Sequence, residues 1–195
     1  MGWIGVVELA AHGIAIQLAS IAFMVPLGLS HASTVRVGQA YGAKNKANVW
    51  RAAMMFVFLS LVFGIMIAAL FWIFPEWLVG LFLDENNLDA EQVTLIAASL
   101  VLVAAAFQLG DGIQIIASGA LRGLSDTTIP MVISIFSYWL VGLAAAYVLA
   151  FPFDMGALGI WFGLAIGLTV SAFVLSIRFV GLAKKLEFTE GSGNA

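Results

Sequence analysis

Asp111 is the residue best placed to do chemistry in this chain, because it is the only charged side chain between Gln92 and Leu121. Counting back from Arg122 at about 1.5 Å per helical residue puts it about 15 Å from that end, near the middle of a membrane if the stretch spans one. A carboxylate at that depth costs about 2.5–3.5 kcal/mol on insertion scales, so its presence points to a task. The task such a group performs best is binding a cation or a proton, the two competing for one site. Gln108, Gln114 and Ser118 fall three and seven positions from Asp111 and give the helix a polar stripe able to line a cavity. Gly110 and Gly112 flank the acid, where they would let the helix bend or another group approach its backbone. The plainer alternative is a protonated Asp111 hydrogen-bonded to a neighbouring helix for packing.

Other polar residues are weaker candidates. Pro26 falls in the middle of another apolar stretch, where it removes a backbone hydrogen bond and is expected to kink the helix. His12 and His31 lie too far apart on one helix to share a site; each is expected to be interfacial or hydrogen-bonded rather than a proton relay. Gly159, Gly163 and Gly167, followed by Ser171, recur at spacing four, which lets helices approach closely and indicates packing. The Asp84–Asp89 segment lacks the glycine and terminal glutamate of an EF-hand and reads as a solvated loop.

Several chemistries are excluded. The chain has no cysteine and two histidines, which removes thiol nucleophiles and leaves little for a transition metal; the one metal that remains open is a sodium ion at Asp111. No phosphate-binding loop, HExxH or GxSxG pattern occurs, and Asp111 has no second catalytic group placed beside it, so an enzyme is not expected and neither is a resident cofactor. Eight basic against eleven acidic residues argue against a nucleic-acid surface.

The elements that must position Asp111 follow from composition. Of 195 residues, 63% are hydrophobic and 10% charged, too few charges to cover a water-soluble fold. A bilayer core about 30 Å thick takes about 20 helical residues to cross. Long stretches without a charged residue read as spans at approximately 9–35, 52–75, 127–153 and 155–177, and the stretch around Asp111, 92–121, makes a fifth. The fold class is therefore all-α, a polytopic bundle of five transmembrane helices with the lipid bilayer as its surroundings. Pro152 and Gly156 mark a tight turn that pairs the last two spans as a hairpin. All eight Lys and Arg follow the first, third and fifth spans, whereas the alternate segments carry only acidic residues. Basic residues are retained on the cytoplasmic side, so the N-terminus is expected outside and the C-terminus inside, in a multi-pass protein of the cell's inner membrane. Residues 187–195 read as a disordered tail.

Ordered motifs carry a resemblance. Leu9–Ala15, Phe23–Leu29 and Val35–Ala43, then Asp111–Gln114 leading to Gly119–Thr127, then Tyr138-Trp139 and Gly159–Gly163, together resemble the C-terminal lobe of the multidrug and toxic compound extrusion (MATE) family. The resemblance covers nearly all of residues 1–186. It implies helices eight to twelve of a twelve-helix antiporter with two six-helix lobes, which expels small organic cations or drugs in exchange for sodium ions or protons. It also implies that Asp111 is the cation-coupling acid of the tenth helix, while the acid of the seventh helix lies in a part of the family pattern not found here. On that reading the chain is most of one lobe and needs the remaining seven helices. Related lipid or polysaccharide flippases, and a non-transporting remnant or membrane subunit, are the alternatives.

Overall fold

The computed structural model describes residues 2, 5–83 and 90–186, and among these there are helices and turns but no strands. The helices are α1 (Val6–Gly42), α2 (Lys46–Ile73), the short α3 (Pro75–Gly80), α4 (Ala90–Gly123), α5 (Thr128–Ile135), α6 (Leu143–Ala150) and α7 (Gly156–Lys185), with a π-helical segment, Phe136–Gly142, joining α5 to α6. Five helical stretches are long and apolar enough to cross a membrane, the fourth being α5, the π-helical segment and α6 taken together, Thr128–Ala150. The expected spans are thus all present, with α1, α2 and α7 running past the apolar stretches into their polar flanks. The tail at 187–195 and the acidic segment 84–89 lie outside the described residues.

Local chemistry explains the helix ends. Asn45 caps α2 by accepting the Asn48 backbone N–H at 3.0 Å, and Lys44 takes up positive φ (53°) to turn the chain between α1 and α2. Pro75 occupies the start of α3, where its missing N–H is harmless. Asp154 and Gly156 both adopt positive φ (55° and 53°), which closes the expected turn between α6 and α7. Pro26 lies buried within α1, which continues through it as one helix.

Helix α4 is the centre of the bundle: it packs against α1, α2 and α7, while α6 and the π-helical segment lie on α7. Where these helices meet, they meet through glycine. A Cβ on Gly119 would stand 2.6 Å from the Ser30 carbonyl oxygen, one on Gly159 2.6 Å from the Ala150 nitrogen and one on Gly167 2.9 Å from Gly142 Cα; one on Gly163 would overlap the Ala146 backbone. The spacing-four glycines of α7 thus stand where the helix backbones approach most closely.

The buried interior has three levels. One apolar cluster contains Ala11, Ala15, Leu18, Phe71, Val101 and Trp161; a second, at the opposite end, contains Val37, Val49, Leu121, Leu175 and Phe179. Between them, by position along the helices, lie the buried polar residues Ser30, Ser33, Ser60, Gln108, Gln114, Ser137 and Ser171. The second cluster's end of the bundle is also the basic end. There Lys46 Nζ donates to the Lys184 carbonyl at 2.6 Å and Arg122 donates to Ser30 Oγ at 3.0 Å, while Arg178 pairs with Asp126 at 2.6 Å.

Candidate functional site

At the polar level, α1, α4, the π-helical segment and α7 stand apart around a cavity of about 710 Å³. Asp111 from α4 lines it with Phe107 one turn earlier; α1 contributes Ser20, Phe23, Met24 and Leu27, the π-helical segment Tyr138, and α7 Trp161 and Leu164. The carboxyl group is half-buried and faces walls that are otherwise apolar and aromatic. Such a setting strengthens any electrostatic contact the carboxylate makes, because little water competes for it.

Neighbouring polar groups narrow what the site can do. Tyr138 lies within electrostatic reach of Asp111 and close to Gln114 and Ser171. A carboxylate, a phenol and an amide carbonyl are oxygen donors of the kind that hard cations and protons prefer. Among the described residues no three His, Cys, Asp or Glu side chains converge as a metal cluster.

The polar stripe expected on α4 is only partly brought to the cavity. Asp111 lines it; Gln108, Gln114 and Ser118 do not. Gln108 is 1% exposed and its amide nitrogen has no hydrogen-bond partner, Gln114 is buried beside Tyr138, and Ser118 is half-buried nearer the basic end. The geometry of the helix accounts for this: at about 100° per residue, Gln108 and Gln114 lie about 60° to either side of Asp111, which turns them into the packed flanks of α4. Gly112 has the second of its two expected roles, since a Cβ there would meet Ser60 Oγ of α2 at 2.5 Å. Pro26 is buried and Gly167 lines the cavity as well as packing on Gly142.

His12 accepts a hydrogen bond from Trp161 Nε1 at 3.2 Å, in line with a hydrogen-bonded histidine, and His31 is exposed. Trp161 is 1% exposed and stacks on Phe107 with ring centroids 5.6 Å apart, so one aromatic wall of the cavity is fixed from both sides. Tyr138, Trp161 and Phe107 were not singled out as site residues by sequence reasoning. Their signal was available: aromatic side chains carrying a polar atom, or facing one, at the depth of the lone acid.

The fold and the cavity define a class, a multi-pass membrane bundle with a carboxylate opening into an apolar, aromatic space at mid-height. Comparison with known proteins makes the assignment specific. The MatE family pattern matches residues 1–148, and the chain belongs to that family. It is similar to a probable multidrug resistance protein NorM of Rhizobium meliloti (strain 1021), 48% identical over 186 residues that make up 95% of this chain and 40% of the relative. The chain thus spans about 40% of the length of the curated relatives it matches. Its fold matches an inward-facing conformation of a multidrug resistance MATE family transporter of the MOP superfamily with a TM-score of 0.82 at 20% identity, over 94% of this chain and 43% of that one. It matches an outward-facing conformation of such a transporter with a TM-score of 0.83 at 19% identity, over 91% and 39%.

Proposed function

We propose that residues 1–186 form most of the C-terminal lobe of an inner-membrane multidrug antiporter, corresponding to its helices eight to twelve, and that Asp111 is the coupling site for a sodium ion or a proton. The N-terminus lies outside and the C-terminus inside, as the basic end of the bundle indicates under the charge rule. The transported compounds are small organic cations or drugs, and export requires the seven upstream helices, because alternating access needs two parts that rock about a shared site.

The observation that carries this reading is the position of Asp111 at the edge of the 710 Å³ aromatic cavity. An aromatic, apolar wall with one carboxylate suits a lipophilic cation, through stacking, cation–π contact and charge. The same carboxylate suits the coupling ion, so the two occupants exclude one another, and an ion gradient then drives export through the differential affinity of the two states. No Lys or Arg lines the cavity, which disfavours a flippase for anionic lipid or polysaccharide headgroups.

The test is ethidium efflux from cells without their own pumps, comparing the chain alone, the chain joined to an upstream seven-helix portion, and the joined form carrying Asp111→Asn. The joined form is expected to pump, the chain alone is not, and Asp111→Asn is expected to abolish pumping. Normal, gradient-dependent pumping by Asp111→Asn would return Asp111 to a packing role.

A further inference from the structure

A second cavity, of about 410 Å³, opens at the basic end between the last turns of α1 and the first turns of α2. It is lined by Arg36 and Gln39 from α1 and by Asn48, Arg51, Met55 and Phe56 from α2. Both arginines are exposed, and neither forms an ion pair among the described residues, where Arg178 with Asp126 is the one pair present. Two cations on adjacent helices, with the Gln39 and Asn48 side chains in the same lining and no carboxylate in it, suit a dianionic or monoanionic oxyanion. The gradation along α2 is the second feature: four and five residues beyond Arg51 the lining turns to Met55 and Phe56, the first exposed and the second buried.

We propose that this groove binds an anionic phospholipid, its phosphate between Arg36 and Arg51 and the start of an acyl chain along Met55 and Phe56. Only a ligand with a charged head and an apolar tail matches both halves of the groove, and only one lying in the bilayer meets it at the right height. The groove lies beside the second apolar cluster, against which its Ala40 and Ala52 pack, and shares no lining residue with the Asp111 cavity, so the assignment does not depend on transport. Bound lipid here would bridge α1 and α2 at the turn where Lys44 adopts positive φ.

The experiment is native mass spectrometry of the detergent-purified chain with phosphatidylglycerol, phosphatidylcholine or inorganic phosphate. Phosphatidylglycerol is expected to be retained in preference to phosphatidylcholine. Each of Arg36→Gln and Arg51→Gln is expected to reduce that preference about fivefold, the ratio corresponding to about 1 kcal/mol per basic residue at an anionic surface. Lys184→Gln, at the same end but outside the groove, is expected to leave it unchanged. The three surface changes remove no packed side chain, and elution of each variant as a single species confirms that folding is intact. Equal retention of the two lipids overturns the proposal, as does an equal loss in Lys184→Gln, which would mean diffuse attraction. Displacement of phosphatidylglycerol by millimolar inorganic phosphate would identify the groove as a site for the free ion and overturn the lipid assignment.

Discussion

Helix α7 meets its neighbours in two contrasting ways. Along Gly159, Gly163 and Gly167 it touches the backbone of α6 and the π-helical segment with no room for a methyl group; along Trp161 and Leu164 it stands back and lines a cavity. Helix α4 repeats the contrast within two residues, since Asp111 faces the cavity and Gly112 lies against Ser60 of α2. In a bilayer there is no hydrophobic drive between apolar helices, so close approach has to be built from small residues that maximise van der Waals contact. The tight seams are what hold the cavity open: they fix the helices on their far sides, so large side chains on the near sides keep a space between them.

Substitutions along the seams test how far that contrast reaches. The largest effect is expected for Gly163→Leu, because the obstacle is the Ala146 backbone, which cannot rotate aside. A loss of more than about 3 kcal/mol is expected, seen as disappearance of the monodisperse peak in size-exclusion chromatography. A smaller effect is expected for Gly112→Ala, where the close atom is the Ser60 hydroxyl at 2.5 Å and Ser60 Cβ is at an ordinary 3.8 Å. About 1 kcal/mol should be lost and mostly recovered in Gly112→Ala with Ser60→Ala, as measured by apparent melting temperature; a pair that merely adds would show the contact to be unimportant. The smallest effect, of opposite sign, is expected at Gly181 of α7, where a Cβ meets nothing within 4 Å. Gly181→Ala should stabilise by about 0.5–1 kcal/mol through helix preference alone. If Gly181→Ala destabilised as much as Gly112→Ala, proximity would not be what separates the two kinds of position.

Much of this architecture was legible in the residues. The spans were readable because lipid exposure forbids charge over about 20 residues, a constraint independent of tertiary contacts. The α7 seam was readable because Gly159, Gly163 and Gly167 repeat at one spacing. The comparable seam of α4 on α1 was not, although Gly119 and Gly123 share that spacing, because its partners Ser30 and Thr34 lie on a helix far away in sequence. Asp111 could be placed at mid-depth by counting, yet the residues facing it across the cavity come from three other elements, and no local spacing specifies them. The polar stripe failed in detail for a related reason: a stripe 120° wide is readable, but how much of it the neighbouring helices cover is not.

The π-helical segment also escaped sequence reading, since Phe136–Gly142 holds no proline and its single glycine, Gly142, stands at its very end. Its wider turns act as a phase shifter. An α-helix advances about 100° per residue, whereas the π-helix advances less, so α5 and α6 are set on different angular registers although they share one span. A residue count carried from Thr128 to Ala150 at a single period would assign α6 the wrong face. The offset is what turns Ala146 and Ala150 onto the glycines of α7 while Tyr138 looks into the cavity, so one span serves as both wall and seam.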